Sequence, residues 1–117
     1  MNGTAPAPLT FTASFGQVHA NLSASARLTF HATTGALEFE TTISGTDQPI
    51  TMALHRLDGE RVGPIVAHLG MRGQRSARGT LVLRGRDRDD FAAGRVGVRL
   101  YTAGLPLGSP VVRVTFQ

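Results

Sequence analysis

Apolar and small polar residues alternate in short segments along most of this chain, and this two-residue period is what most limits its fold. Residues 9–15 have the sequence L-T-F-T-A-S-F, and residues 26–32 place Ala26, Leu28 and Phe30 on one side of an extended chain. Gly, Pro, Asn, Asp and Ser separate such segments, and a helical period is almost absent. The pattern predicts an all-β antiparallel protein, a Greek-key sandwich or flattened barrel of about eight short strands.

The clearest local prediction is a hairpin over 26–43. Thr34-Gly35 lies between two alternating segments, and glycine supplies the positive φ that tight hairpin turns need. Further strands are predicted at 50–54, 65–69, 80–83, 96–101 and 111–116. Residues 70–79, with the sequence G-M-R-G-Q-R-S-A-R-G, are predicted to form an exposed mobile loop.

One short helical turn is predicted at 87–93. Asp87 is the expected N-cap, the acidic Asp89 and Asp90 fall in the first turn, and Gly94 is the expected C-terminal stop. Because these carboxylates are interleaved with arginines, we expect a solvated turn with local ion pairs.

The length of 117 residues suits one domain with its own core. Residues 1–8, M-N-G-T-A-P-A-P, are predicted to be an extended flexible arm, followed by a single domain at 9–117. The arm has neither the charged nor the apolar segment of a signal peptide, and no apolar run approaches the roughly 20 residues of a membrane-spanning helix. The chain has no Cys, so no disulfide or thiolate metal site is predicted.

All 12 basic residues are arginine, and the net charge is +4. Half of them form what we call the basic segment: Arg72, Arg75, Arg78, Arg84, Arg86 and Arg88. Such a concentration predicts contact with an acidic protein surface or an acidic polymer, and the alternative is a loop kept in solution by its charge. Nucleic acid is disfavoured because base stacking needs aromatic residues, and none lies between Arg72 and Arg88.

No catalytic pattern is present. The sequence has no G-x-S-x-G elbow, no phosphate-binding glycine loop and no dinucleotide motif. Its Ser and Thr residues follow strand alternation and turns, where strand propensity and turn chemistry explain them. We therefore predict a protein that is not an enzyme and that needs no cofactor.

The stretch from His55 to Gly108 has a distinctive order of elements. A strand ending at His55 is followed by a polar turn, and Gly63-Pro64 opens a second apolar segment. An Arg/Gly-rich loop, a third strand, an acidic turn closing at Gly94 and a fourth strand come next. This order resembles the chordin-type (CHRD) domain, a small β module of secreted animal proteins and of many bacterial proteins. The resemblance extends over most of the chain and implies an interaction role outside the cell or at its surface.

The histidine signature of that family is mostly replaced here. The family carries an H-x-H pair and a third histidine before a late-strand threonine, and the corresponding positions are Ala53, His55 and Tyr101. The same arrangement is more distantly similar to copper-zinc superoxide dismutases, whose site needs several imidazoles around one ion. We predict no metal site, with His55 as the one candidate ligand. The histidines are expected at the surface or rim, with His68 partly buried.

Together these features predict a non-catalytic binding or structural module that contacts a protein partner or copies of itself. The predicted contact loops are 57–63, 70–79 and 103–110. One alternative is a self-assembling fibre subunit or virion decoration protein that uses residues 1–8 or an edge strand. The other is a degenerate metal-binding domain. The family resemblance favours an extracellular or cell-surface location, and the residues themselves leave the compartment open.

Overall fold

The computed structural model describes residues 9–19, 22–45, 48–70 and 72–115, and the predicted arm at 1–8 lies outside them. The described residues form eight strands and one helix. In chain order these are β1 (Leu9–His19), β2 (Leu22–His31), β3 (Ala36–Gly45), β4 (Pro49–Asp58), β5 (Arg61–His68), β6 (Ser76–Val82), α1 (Gly85–Ala92), β7 (Val96–Thr102) and β8 (Val112–Arg113). Within these ranges, no helix is long and apolar enough to span a membrane.

The strands form two antiparallel sheets of four strands each. The first sheet has the order β1-β2-β3-β6, and the second has the order β5-β4-β7-β8. The chain therefore passes from the first sheet to the second after β3, returns for β6, and passes back through α1 to β7. This arrangement confirms the predicted all-β antiparallel fold, in its sandwich form.

Strand alternation places one apolar face of each sheet in a shared core. In the first sheet, Leu28 pairs with Phe39 and Phe30 pairs with Leu37 in the β2–β3 register. The second sheet contributes alternate residues of its two central strands: Met52, Leu54, Val98 and Leu100. Burial of these side chains between the sheets is the main stabilising contribution that the alternating sequence provides.

The β2–β3 hairpin turns at Gly35, which adopts a positive φ of 80°. Its N–H donates to the His31 carbonyl over 2.8 Å, and its own carbonyl accepts from the Leu83 N–H over 2.8 Å. A Cβ at this position would collide with the Leu83 carbonyl oxygen. The turn is thus attached to the chain just after β6, in a space that only glycine fits.

The prediction of a loop over 70–79 is wrong for its second half, because β6 begins at Ser76. Arg78 lies opposite Glu40, and Gly79 lies opposite Phe39. A Cβ on Gly79 would stand only 2.9 Å from the Phe39 ring, so the ring packs over the glycine backbone. Pairing with β3 therefore makes residues 76–79 a strand, although their own sequence indicates a loop.

Other predicted bounds are also corrected. The predicted loop at 57–63 reduces to the turn Gly59-Glu60, because β4 continues to Asp58 and β5 starts at Arg61. The predicted strand at 111–116 contains only the two residues of β8, and 116–117 lie outside the described residues.

The helix is longer than the predicted turn and starts earlier, at Gly85. The N-cap position belongs to Arg84, whose side chain makes no capping hydrogen bond. Asp87 is not the N-cap, because it lies inside the helix and its carboxylate binds Arg56 from β4 over 2.6 Å. The Asp87 carboxylate, which local capping rules predict to bind a backbone N–H of the helix, instead forms an ion pair with a distant strand.

The C-terminal end of α1 is a Schellman motif built on Gly94. This residue has a φ of 74°, and its N–H donates to the Phe91 carbonyl over 3.1 Å. The next N–H, that of Arg95, donates to the Asp90 carbonyl over 2.8 Å. These two hydrogen bonds satisfy the last helical carbonyls and turn the chain towards β7.

Candidate functional site

The structure distributes the basic segment over three elements. Arg72 and Arg75 lie between β5 and β6, Arg78 lies in β6, and Arg84, Arg86 and Arg88 lie at the start of or within α1. All are exposed except Arg88, which is half-buried. Because β6 separates Arg72 and Arg75 from the arginines of α1, the basic segment does not form one continuous loop.

Two of these guanidinium groups bind backbone carbonyls at a strand end and at a turn. Arg75 donates to the Gly45 carbonyl over 3.0 Å, at the end of β3. Arg88 donates to the Thr33 carbonyl over 2.8 Å and also to the Ala32 carbonyl. Such contacts fix the end of β3 and the β2–β3 turn, so these two arginines contribute to the fold as well as to surface charge.

The outer face of the first sheet carries balanced charge. Arg78 approaches Glu40 at 3.5 Å, and His31 approaches Glu38 at 2.6 Å. A shallow groove of about 340 Å³ follows this face. Its lining consists of Arg27, Thr29, Glu38, Phe39, Glu40, Arg78, Gly79 and Thr80. With two arginines and two glutamates, the groove shows no preference for a ligand of either charge.

Asp90 is buried in the last turn of α1, in contrast to the solvated turn that the sequence predicts. Its Oδ2 atom accepts from Arg56 Nε at 3.0 Å and lies 3.4 Å from Arg86 Nε. Its Oδ1 atom accepts from Arg95 Nε at 2.8 Å. A carboxylate enclosed by three guanidinium groups links β4, the helix and the approach to β7.

The pKa of Asp90 is lowered from its usual range. The hydrogen bond from Arg95 is the main cause, and the charges of Arg95, Arg86 and Arg56 act in the same direction. Burial opposes them by disfavouring the charged form. The group is therefore ionised at neutral pH, with its oxygens occupied by arginines, which suits a structural ion cluster and not a general base.

This cluster predicts an acid-sensitive contribution to stability. Because folding lowers the Asp90 pKa, its stabilising effect is complete above the unfolded value of about 4 and is lost as the pH falls from there through the folded value. Urea unfolding of the protein and of Asp90→Asn between pH 2 and pH 7 measures this effect. We expect the wild-type advantage at neutral pH to shrink below pH ~4, whereas a difference that is constant with pH would contradict the assignment.

His55 lies inside β4 and is only 5% exposed, so its predicted position at a strand end and at the rim is wrong. Its Nδ1 is 2.9 Å from the Gly63 carbonyl, and its Nε2 is 2.8 Å from the Tyr101 hydroxyl. Because a carbonyl only accepts, Nδ1 carries a proton and donates to Gly63, while Nε2 is hydrogen-bonded to the Tyr101 hydroxyl. A Cβ on Gly63 would lie 2.9 Å from the Arg56 carbonyl oxygen, so glycine allows β5 to come close to the Arg56 backbone of β4. The next residue, Pro64, is exposed in β5.

The three positions at which the predicted CHRD resemblance would place histidines share the outer face of the second sheet. Ala53 and His55 are alternate residues of β4, and Tyr101 lies opposite Thr51 in β7. These residues do not fit a metal ion, because one position is Ala, another is Tyr, and both nitrogens of the only imidazole are hydrogen-bonded. Elsewhere in the described ranges, no group of three or more His, Asp or Glu side chains could hold one.

The other histidines occupy different places. His68 is exposed, contrary to the prediction of partial burial, and its Nδ1 lies 3.1 Å from the Thr51 hydroxyl. His31 is half-buried on the outer face of the first sheet, and His19 lies in β1. The described imidazoles of His31, His55 and His68 lie on separate strands, and no group of three metal-ligating side chains is found among the described residues.

The four sheet edges differ in how well they are protected against pairing with another strand. β8 has only two residues, β5 contains Arg61 and Pro64, and β6 has Arg78 near its centre. Short strands, charges and proline all oppose strand addition. β1 has 11 residues with no Asp, Glu, Arg or Pro, and its pairing with β2 is regular from Leu9 to Ser14. The absence of charge in 9–19 is the sequence signal that identifies this edge.

No protein-family model, curated protein or solved structure matches this chain. The resemblance to the CHRD domain and to superoxide dismutases therefore stays a prediction. The edge of β1, the buried ion cluster and the outer face of the second sheet are the features that bear on function.

Proposed function

We propose that this chain is a non-catalytic, CHRD-like β-sandwich module that binds an extended strand of a partner protein along β1, outside the cell or at its surface. The observation that carries the proposal is the contrast between β1 and the three other edges. β1 is long and uncharged, whereas each of the others is short, charged or interrupted by proline. An added strand would gain main-chain hydrogen bonds along the side of β1 that faces away from β2, where β8 does not already approach it.

Side chains of β1 provide the means of selecting such a strand. Phe11 and Ala13 are buried, and Leu9 and Phe15 are half-buried against the core. The exposed Thr12 lies on the opposite face of the strand, over Arg27 of β2. A partner strand that alternates apolar and small polar residues would therefore extend both the core and the polar outer face.

The state of the buried ionisable groups supports a non-catalytic role. Among the described residues, Asp90 and His55 are the buried side chains of this kind. Asp90 is enclosed by arginines, and His55 is hydrogen-bonded at both ring nitrogens. Groups that are already paired in this way stabilise the fold and are poorly placed to transfer protons to a substrate.

Self-assembly is the second candidate, because a copy of this chain presents the same uncharged edge. Antiparallel pairing of β1 with β1 of another copy is compatible with two-fold symmetry and places the apolar sides of both strands together. Fibre or virion roles would require a further contact between such pairs. Both candidates depend on the same edge, and they differ in the identity of the strand that is added.

The variant Thr12→Glu tests the edge. A glutamate there faces Arg27 within the sheet, so we expect the fold to persist, while a new charge on the edge opposes strand addition. Thr42→Glu is the matched control, since Thr42 is also exposed but lies in the interior strand β3. Two probes are used, a peptide copying residues 9–15 and an unrelated peptide of alternating Val and Thr.

Amide chemical shifts and light scattering after size exclusion give the result. Peptide-induced shifts confined to β1, weakened about tenfold by Thr12→Glu and unchanged by Thr42→Glu, would support strand addition. A monomer that binds the unrelated peptide favours an external partner, and an oligomer that Thr12→Glu dissociates favours self-assembly. A monomer that binds neither peptide at β1 would overturn both.

A further inference from the structure

Arg99 occupies a distinctive position at the centre of the outer face of the second sheet. It lies in β7 opposite Ala53 of β4, and His68 of β5 lies opposite Ala53 on the other side. Its side chain is half-buried, and its Nε atom is buried with no hydrogen-bond acceptor among the described residues. A buried donor without an acceptor destabilises the fold, so the unpaired Nε of Arg99 needs a physical explanation.

The loop after β7 holds the Arg99 side chain in place. Gly108, with a φ of 98°, packs on its stem: a Cβ there would collide with Arg99 Cδ and would stand 2.8 Å from Cγ and 3.0 Å from Nε. Buried Ser109 fixes this loop, because its N–H donates to the Leu100 carbonyl over 2.8 Å and its Oγ accepts from the Leu100 N–H over 3.0 Å. The guanidinium is thus positioned by contacts that leave its Nε donor unused.

The charges that the described residues place on this face are of one sign. The alternate positions of the two central strands are Thr51, Ala53, His55, Gly97, Arg99 and Tyr101, and none is acidic. Arg113 of β8 lies opposite Gly97, and it donates to the Gly94 carbonyl over 3.0 Å and to the Gly59 carbonyl. The first sheet differs, because glutamates accompany its outer arginines. Among the described residues of this face, Arg99 therefore lacks the acidic neighbours that balance the arginines of the opposite sheet.

We propose that the outer face of the second sheet binds a compact oxyanion, a carboxylate or a phosphate, at Arg99. Guanidinium presents planar, forked donors that match two oxygens of such a group, and a charge-assisted pair is stronger than a neutral hydrogen bond. Of the guanidinium nitrogens only Nε is buried without a partner, so the ligand would bind the Nη groups, whose position Gly108 fixes before binding by holding the Arg99 stem. This site is on the sheet opposite to β1 and does not depend on strand addition there.

The Nε–H resonances of the ¹⁵N-labelled full chain provide a direct test. Inorganic phosphate and sodium acetate are titrated separately at constant ionic strength. We expect a saturable shift of the Arg99 resonance with at least one anion, and no saturable shift of Arg27, which lies on the outer face of the first sheet near Glu40. Saturation by phosphate alone identifies a phosphoryl ligand, and saturation by acetate alone identifies a carboxylate.

Arg99→Lys retains the charge and removes the fork, so we expect the affinity for the bound anion to fall at least tenfold, whereas Arg27→Lys leaves it unchanged. For these variants, amide shifts of β7 report binding. An Arg99 resonance that saturates with neither anion would overturn the proposal, as would an Arg99→Lys protein that binds like the wild type. The titration of the unmodified chain tests anion binding at Arg99 even if the Arg99→Lys variant does not fold.

Discussion

Replacing Phe91 with alanine is expected to lower the free energy of unfolding by about 3–5 kcal/mol. The Phe91 ring is completely buried and lies against Phe30, with the ring centroids 4.7 Å apart. It is the one buried apolar side chain of α1. Its removal therefore leaves a cavity in the core and also detaches the helix that leads from β6 to β7. Urea unfolding followed by circular dichroism measures the loss.

Two further variants separate cavity formation from general damage to the helix. Phe91→Leu keeps most of the apolar volume, so we expect a loss of only about 1–1.5 kcal/mol. Ala92→Ser changes an exposed neighbour in the same turn and is expected to stay within about 0.5 kcal/mol of the wild type. If Phe91→Ala were no more damaging than Ala92→Ser, Phe91 would not anchor the helix as described.

Gly35→Ala is the second substitution with a large expected effect, a loss of about 2–3 kcal/mol. Two penalties combine at this turn. The positive φ of 80° is unfavourable for any residue with a Cβ, and the new methyl group would collide with the Leu83 carbonyl oxygen. Relief of the collision requires displacement of a backbone segment whose Leu83 N–H is hydrogen-bonded to Gly35.

Gly59→Ala is the matched control. Gly59 has a φ of 61°, and a Cβ there would meet nothing within 4 Å. We expect this variant to show the conformational penalty alone, about 1 kcal/mol. Thermal unfolding of both variants isolates the steric contribution as their difference. Equal losses would mean that contact with Leu83 does not constrain the turn.

Much of the first sheet could be predicted from the sequence because its strands carry their own pattern. The alternation in 26–43 determines which face of β2 and β3 is buried, and Thr34-Gly35 marks the turn between them. Where partners lie far apart in sequence, local rules failed. β6 has loop-like residues at Arg78 and Gly79, yet Glu40 and Phe39 of β3 pair with them and make a strand.

The site features were harder to predict for the same reason. His55 is buried because β4 continues beyond it and brings it to Gly63 and Tyr101, which are 8 and 46 residues away. In the sequence, Arg99 is an ordinary polar residue of an alternating strand. Only the structure shows that Gly108, nine residues later, packs on its stem and that its Nε has no acceptor among the described residues. By contrast, the absence of charge in β1 can be read from residues 9–19 alone, because it does not depend on which strands pair with β1.

The passage of the chain between the two sheets has a consequence for how the protein is made. β3 obtains its second neighbour only from β6, and β4 pairs with β7, which starts at Val96. A chain emerging from the ribosome can form the β1–β2–β3 meander early, but its apolar face stays uncovered until most of the remaining sequence has been translated. Folding is then limited by long-range strand pairing, and a nascent chain paused before β7 is the species most exposed to aggregation.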